Sequence, residues 1–442
     1  MSLGRKSSRL HTPQGWSPRT RAWSALLVFI LTAAICAAQS TSAVIEVPNP
    51  PNTAEQQAKH YVVLVSLDGF RYDYATKYGA KNLLAMAGRG ANAPDGMVPS
   101  YPSVTFPNHY AIVTGLYPDH HGIVGNTFYD PTRKQSYSYT NPKTTGDGSW
   151  YNGTPLWALA EQQGMRAASF FWPASDAEIQ GKRPSYYLAP YDDNFPGEKR
   201  VEQVLAWLHL PPEKRPHFIA LYYPNTDHAG HTYGPDATET AEAVRHVDEM
   251  IGKLSDGIAA SGLPVDLVVV ADHGMETLQG GWVILGKWVD LSQFETSGAM
   301  LYAKSEADAG KAYQSLLGAS DKFKVYRRPN VPAYLHFNSN PREGDPVVVP
   351  TGPYPIVARD PNSSGGGRMP PRGGHGYDPR QMPSMKAIFF AAGPDIRPGV
   401  TVPSFENVHL YPLIARILGL RTEPNDGDLR VLQGILNKNS KN

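Results

Sequence analysis

Four runs in this chain are apolar or aromatic at nearly every position: Tyr61 to Leu67, His217 to Tyr223, Val265 to Ala271 and Lys386 to Ala391. A strand with one wet face alternates apolar and polar residues, so unbroken runs rich in Val, Ile and Leu mark strands covered on both faces. Between them lie helical patterns over Lys81 to Gly88, Leu156 to Gln163, Val201 to Leu208 and Thr238 to Ala259. Strand and helix alternation of this kind implies an α/β fold, a mostly parallel sheet with helices on both faces. The segment 281–371 breaks the pattern with short strand-like pieces, many prolines and one helix near Ala307 to Leu317, and reads as a small inserted α+β subdomain. The Ser-, Gly- and Pro-rich stretch from Ser363 to Gly374 within and after it is loop. The catalytic core is then expected in two parts, 60–280 and 372–425, with a polar lead at 39–59 and a tail at 426–442.

The first 38 residues read as an export signal. Arg5, Lys6, Arg9, Arg19 and Arg21 precede an apolar run from Trp23 to Ala34, and the small residues Cys36, Ala37 and Ala38 come after it. An uncleaved anchor is the alternative, but the run is short for a bilayer span, so no stable membrane insertion is expected after cleavage and the product is periplasmic or secreted. The five basic residues account for the whole of the +1 formal charge, and without them the chain is mildly acidic. That leaves no basic footprint for a specific nucleic-acid partner. The single cysteine of the 442 residues lies in this leader, which excludes an internal disulfide and a thiolate metal site.

The residues just beyond each buried run carry the chemistry. The first run ends in Asp68-Gly69-Phe70, the second leads to Asp227 and His231, and the third to Asp272-His273-Gly274. One strand-end Asp is ordinarily a turn residue. Three together gather carboxylates and imidazoles at the carboxyl ends of parallel strands, where open α/β sheets bind ligands. Oxygen and nitrogen donors without thiolate suit zinc, with manganese or iron as poorer candidates. Asp227 and His231, four residues apart, can reach one ion from a single turn, with His375 chosen as their third ligand; Asp68, Asp272 and His273 are then left for a second. Two ions about 3.5–4 Å apart clamp a phosphoryl group during in-line displacement. The nucleophile is sought in Thr105-Phe106-Pro107-Asn108-His109, where Pro107 sits in the first turn of a helix that Gly115 ends. That makes Thr105 or Phe106 the N-cap, and Thr105 either a plain cap or a hydroxyl activated by a bound cation.

The ordered set Asp68-Gly69-Phe70, Thr105 to His109, Thr114 to Pro118, His121-Gly122-Ile123, Asp227 to Pro235, Asp272 to Met275 and Gly374-His375-Gly376 resembles the nucleotide pyrophosphatase/phosphodiesterase family of the alkaline phosphatase superfamily. The resemblance implies an alkaline-phosphatase-like fold and two Zn²⁺ per chain. One ion would be held by Asp68, Thr105, Asp272 and His273, the other by Asp227, His231 and His375. It further implies that Thr105 is the nucleophile, that Asn126 donates to a phosphate oxygen, and that Phe106 and Tyr191 sandwich a base. The substrate would be a nucleotide or nucleotide diester, cleaved to a nucleoside 5′-monophosphate. Other members act on lysophospholipid and choline-phosphate diesters, and the wider superfamily on phosphomonoesters, for which no arginine stands beside Thr105. A catalytically silent binding module is disfavoured by the retained hydroxyl and ligands. Val104 replaces a lysine common in eukaryotic members, and the disulfide-rich accessory domains of animal relatives are missing, which points to a bacterial single-domain type.

Overall fold

The computed structural model describes residues 41–437 apart from 364 and 366; the expected leader lies outside the described residues. Nine strands form the central sheet. In chain order they are β1 (Ala43–Glu46), β2 (Tyr61–Leu67), β3 (Ala91–Asn92), β4 (Ala167–Phe170), β5 (Tyr186–Ala189), β6 (Phe218–Tyr223), β7 (Val265–Val270), β8 (Phe389–Ala392) and β9 (Val400–Thr401). Their spatial order is β1-β5-β4-β6-β2-β7-β8-β3-β9. The block from β5 to β7 is parallel throughout. The fourth apolar run begins its strand only at Phe389 and pairs antiparallel to β7.

Every residue of β2, β6 and β7 is buried, as continuous apolar runs require, and each Val or Leu so enclosed contributes about 1.5–3 kcal/mol. Helices supply the cover on both faces. The long helix Thr238–Ser261 packs on Lys81–Arg89 and Gly197–Leu208. Leu410–Leu418 packs on β2 and on Thr105–Thr114, while Leu156–Gln162 lies against β4. No helix among the described residues is long and apolar enough to cross a membrane.

Residues 283–358 build three two-stranded sheets and the helix Glu306–Leu316 around a small core of their own, with Leu285, Leu301 and Leu316 fully buried. Tyr302, Leu335, Phe337 and Val347 from the same stretch join the main core instead. The polar lead contributes β1, an exposed edge strand whose backbone pairs with β5 despite its wet side chains. The tail is anchored by Leu432, on the short helix Leu429–Leu432, and by Ile435 just beyond it, both buried in the main core.

Candidate functional site

The turns at the carboxyl ends of β2, β6 and β7 bring Asp68, Asp227, Asp272 and His273 together. Gly69 holds the turn after β2 with φ +67°, and a Cβ there would fall 2.9 Å from Asp227 Cα, so only glycine lets the two turns close. The helix Asn225–Tyr233 carries Asp227 and His231 one turn apart. His375 arrives from the other part of the core, beside the two-residue pairing of Gly373-Gly374 with Glu276-Thr277.

Two triads result. In the first, Asp227 Oδ1 lies 3.3 Å from His231 Nε2 and 3.5 Å from His375 Nε2, and the two imidazole nitrogens are 3.1 Å apart. In the second, His273 Nε2 lies 3.0 Å from Asp272 Oδ2, 3.5 Å from Asp68 Oδ1 and 3.4 Å from Thr105 Oγ1. A tetrahedral zinc ion with bonds of about 2.0–2.1 Å sets its ligand atoms roughly 3.3 Å apart. These spacings match that edge length.

The hydrogen bonding agrees with the spacing. Asp68 Oδ1, Asp227 Oδ1 and Asp272 Oδ2 are buried without a hydrogen-bond partner, and they are the oxygens that face the histidines. The companion oxygens of two of them are satisfied: Tyr222 Oη donates to Asp68 Oδ2 at 2.6 Å and the Gly69 amide to Asp272 Oδ1 at 3.2 Å. Each histidine spends Nδ1 on a backbone carbonyl 2.9 Å away, His231 on Gly373, His375 on Ser103 and His273 on Gly274. Nδ1 is therefore protonated in each, and in the neutral imidazole Nε2 keeps its lone pair for the centre of the triad. Lone pairs and bare carboxylate oxygens converging at these distances repel one another, and a cation resolves the conflict. Asp227 also lies within reach of Asp68 and His273, so the triads adjoin, and the rings of His273 and His375 stack at 3.6 Å.

His109 touches the same carboxylates, with Nδ1 3.4 Å from Asp272 Oδ2. Both its nitrogens are engaged, Nδ1 donating to the Thr105 carbonyl at 2.9 Å and Nε2 accepting from Ser66 Oγ at 2.8 Å. It braces the site without a free donor atom for an ion.

The crowding sets the electrostatics. Burial, and then the charges of Asp272 and Asp227, push the Asp68 carboxyl well above its ordinary range. Burial, with His273 and His231 beside it, holds His375 well below its usual value and so neutral, the form that ligates. Burial would raise Asp272 too, but His273 and His109 outweigh it and hold this carboxyl low. Burial likewise opposes a proton on His273, and Asp272 reverses the balance upward. The triads differ in access: the His231 side chain is 34% exposed, that of His273 0%.

Thr105 is half-buried at the mouth of the second triad, and it is not the helix cap. The helix runs Thr105–Thr114 with Val104 at the N-cap position and no cap bond from that residue. The capping acceptor is supplied by Asn126, whose Oδ1 takes the Phe106 amide at 2.8 Å. That bond fixes the carboxamide so that its NH₂ is the end left for the adjoining cavity. The cavity, about 470 Å³, is lined by Asp68, Thr105, Phe106, Asn126, Tyr191 and Asp227 among others, so all the residues expected to bind substrate share it. Tyr191 is half-exposed, edge-on to Phe171 at 5.1 Å. Tyr222 and Tyr139 carry no motif that would single them out in the sequence; Tyr222 is one more aromatic in a buried strand, and Tyr139 joins the cavity edge-on to Phe106 at 5.7 Å from just beyond a hairpin. Val104 lies off this cavity and borders a second one.

Residues 62–378 match the family model described as type I phosphodiesterase / nucleotide pyrophosphatase. Ectonucleotide pyrophosphatase/phosphodiesterase family member 1 of Mus musculus is 35% identical over 396 residues, 85% of this chain but only 42% of its own length. The chain thus spans less than half of that relative. A pyrophosphatase/phosphodiesterase of Schizosaccharomyces pombe is 33% identical over 387 residues, 83% of this chain and 78% of that protein. The solved structure of murine ectonucleotide pyrophosphatase/phosphodiesterase 5 superposes with a TM-score of 0.79 at 28% identity, covering 86% of this chain and all of that one. A second structure of that murine protein is an inactive threonine-to-alanine variant in complex with AMP. With a match over most of its length, the chain belongs to the type I phosphodiesterase/nucleotide pyrophosphatase family.

Proposed function

We propose that the protein is an exported, zinc-dependent hydrolase that cleaves nucleotides and 5′-nucleotide diesters to nucleoside 5′-monophosphates through a nucleotidyl-threonine intermediate. The observation that carries this reading is the Thr105 hydroxyl, 3.4 Å from His273 Nε2 beside three carboxylate oxygens that lack any partner. Two Zn²⁺ ions fit the two triads; when bound they supply Lewis acidity to the phosphoryl oxygens and lower the pKa of a coordinated hydroxyl.

The chain's own residues do the rest. Phe106 and Tyr191 hold the base, a contact worth about 1–3 kcal/mol by analogy with stacked nucleic-acid bases. The Asn126 NH₂ and the helix N-terminus face the non-bridging oxygens. The Thr105 hydroxyl gives up its proton to solvent and Oγ forms a bond to phosphorus as the bond to the leaving oxygen breaks; that oxygen departs with the electron pair, leaving the threonyl ester. Water then enters on the exposed side, at Asp227, His231 and His375, forms the new oxygen–phosphorus bond and releases Thr105. AMP, the ligand of the murine relative's inactive threonine variant, belongs to the product class proposed here.

The test compares a thymidine 5′-monophosphate aryl ester, an aryl phosphorylcholine and an aryl phosphate on the purified protein. The nucleotide ester is expected to turn over fastest, and faster hydrolysis of either other compound overturns the assignment. Thr105→Ala is expected to lose turnover while retaining most of its zinc; an active variant removes the nucleophile.

A further inference from the structure

His231 and His375 border not one cavity but two. The second, about 350 Å³, touches neither Phe106 nor Tyr191 and is walled by Tyr101, Trp282, Phe337 and Tyr354. No lysine or arginine lines it. Its one carboxyl, Glu343, is 1% exposed and lies against Asp119. Burial, and then Asp119, raise that group to about 10, so it stands uncharged at neutral pH. A neutral carboxyl brings no charge to the cavity wall.

In-line geometry gives this cavity its place in the reaction. Attack by Thr105 sends the departing oxygen to the opposite side of phosphorus. Thr105 stands at the buried triad, so the departing group leaves past the open one, and His231 and His375 are where the two cavities meet. With the nucleoside in the cavity of Phe106 and Tyr191, the second receives what leaves. A pyrophosphate entering it would give up water with no lysine or arginine to meet its charge, whereas a planar ring would find aromatic walls.

We propose that the second cavity is a leaving-group subsite for an uncharged aromatic or apolar group, which makes 5′-nucleotide diesters of such groups better substrates than nucleoside triphosphates. The inference rests on Thr105 acting as the nucleophile of a diesterase. Ala299, half-buried on this cavity, and Tyr354 provide the probes, with kcat/KM measured on the 2-naphthyl and methyl esters of thymidine 5′-monophosphate and on thymidine triphosphate. The wild type is expected to favour the naphthyl ester over the triphosphate. Tyr354→Ala should lower the naphthyl rate about tenfold, the scale on which apolar pockets discriminate, and leave the methyl ester unchanged. Ala299→Arg should raise the triphosphate relative to the naphthyl ester, and Ala299→Gln, which adds size without charge, should not. A wild-type preference for the triphosphate, or variants that scale all three substrates equally, overturns the subsite while the diesterase reading stands. Absence of turnover on all three removes both.

Discussion

Tyr222 Oη donates to Asp68 Oδ2 at 2.6 Å and leaves Asp68 Oδ1 bare, 3.5 Å from His273 Nε2. The phenol therefore aims the carboxylate without touching the centre of the triad. Tyr222→Phe keeps the ring in its buried site and removes only the donor. Orienting partners of this kind are worth about 10–100-fold in metal affinity or activity. We expect zinc retained against a competing chelator to fall by that order, with the melting temperature of the metal-free protein little changed; unaltered zinc affinity would show that Asp68 is held by its backbone alone.

Asn126 performs two separable tasks. Its oxygen caps the Phe106 amide and its NH₂ faces the cavity. Asn126→Asp keeps an oxygen for the amide but offers no donor to phosphate, so stability should hold while kcat falls about 10²-fold, as for loss of one oxyanion donor. Asn126→Ala should lose the same activity and, in addition, about 1 kcal/mol of stability for the missing cap. Urea unfolding beside steady-state kinetics distinguishes the two losses, and equal stability of both variants would refute the capping role.

Removal of divalent ions should destabilise the fold, because Asp68 Oδ1, Asp227 Oδ1 and Asp272 Oδ2 are left facing one another and three imidazole lone pairs. An ion that binds only the folded chain adds about 2.7 kcal/mol at a hundred times its Kd. Chelation should thus lower the melting temperature and zinc restore it. Restoration by Mg²⁺ alone would contradict a nitrogen-containing zinc site.

Through His121, acidification should weaken the platform of the helix that begins at Thr105. This imidazole is fully buried; Nε2 donates to the Pro107 carbonyl at 3.1 Å and Nδ1 accepts the Ile123 amide at 3.1 Å. Burial lowers its pKa to about 3. The unfolded chain takes up a proton below the ordinary value near 6.5, but the folded chain does so only near 3. The contribution is therefore complete above 6.5 and lost as pH falls toward 3, amounting to about 2 kcal/mol by pH 5. His121→Asn does not titrate there. The stability gap between it and the wild type should narrow by that amount between pH 7 and pH 5, and a constant gap would disprove the linkage.

The candidate ligands were legible because the sheet writes them in a fixed place. A run buried on both faces declares its own end, and a carboxylate just beyond it stands where parallel strands expose their carboxyl termini. The edge strand Ala43–Glu46 left no such mark, since all four residues are exposed and only the backbone holds it. Leu432 and Ile435 looked like tail because their burial depends on the main core, far away in sequence. Thr105 looked like a cap because Thr commonly is one, and the actual acceptor came from some twenty residues downstream. The Nδ1 contacts of the histidines were out of reach for the same reason: carbonyls carry no sequence signature.

The two triads draw their side chains from Asp68 at the end of β2 through to His375, with the small sheets of residues 283–358 threaded between. A chain emerging from synthesis has Asp68, Asp227 and His231 long before it has His375. Neither the open triad nor the loop that it closes exists until the chain has been made through His375 and docked, and closure of so long a loop carries its full entropy penalty. The open triad is thus an end-point of folding: a truncated or misregistered chain lacks its last imidazole.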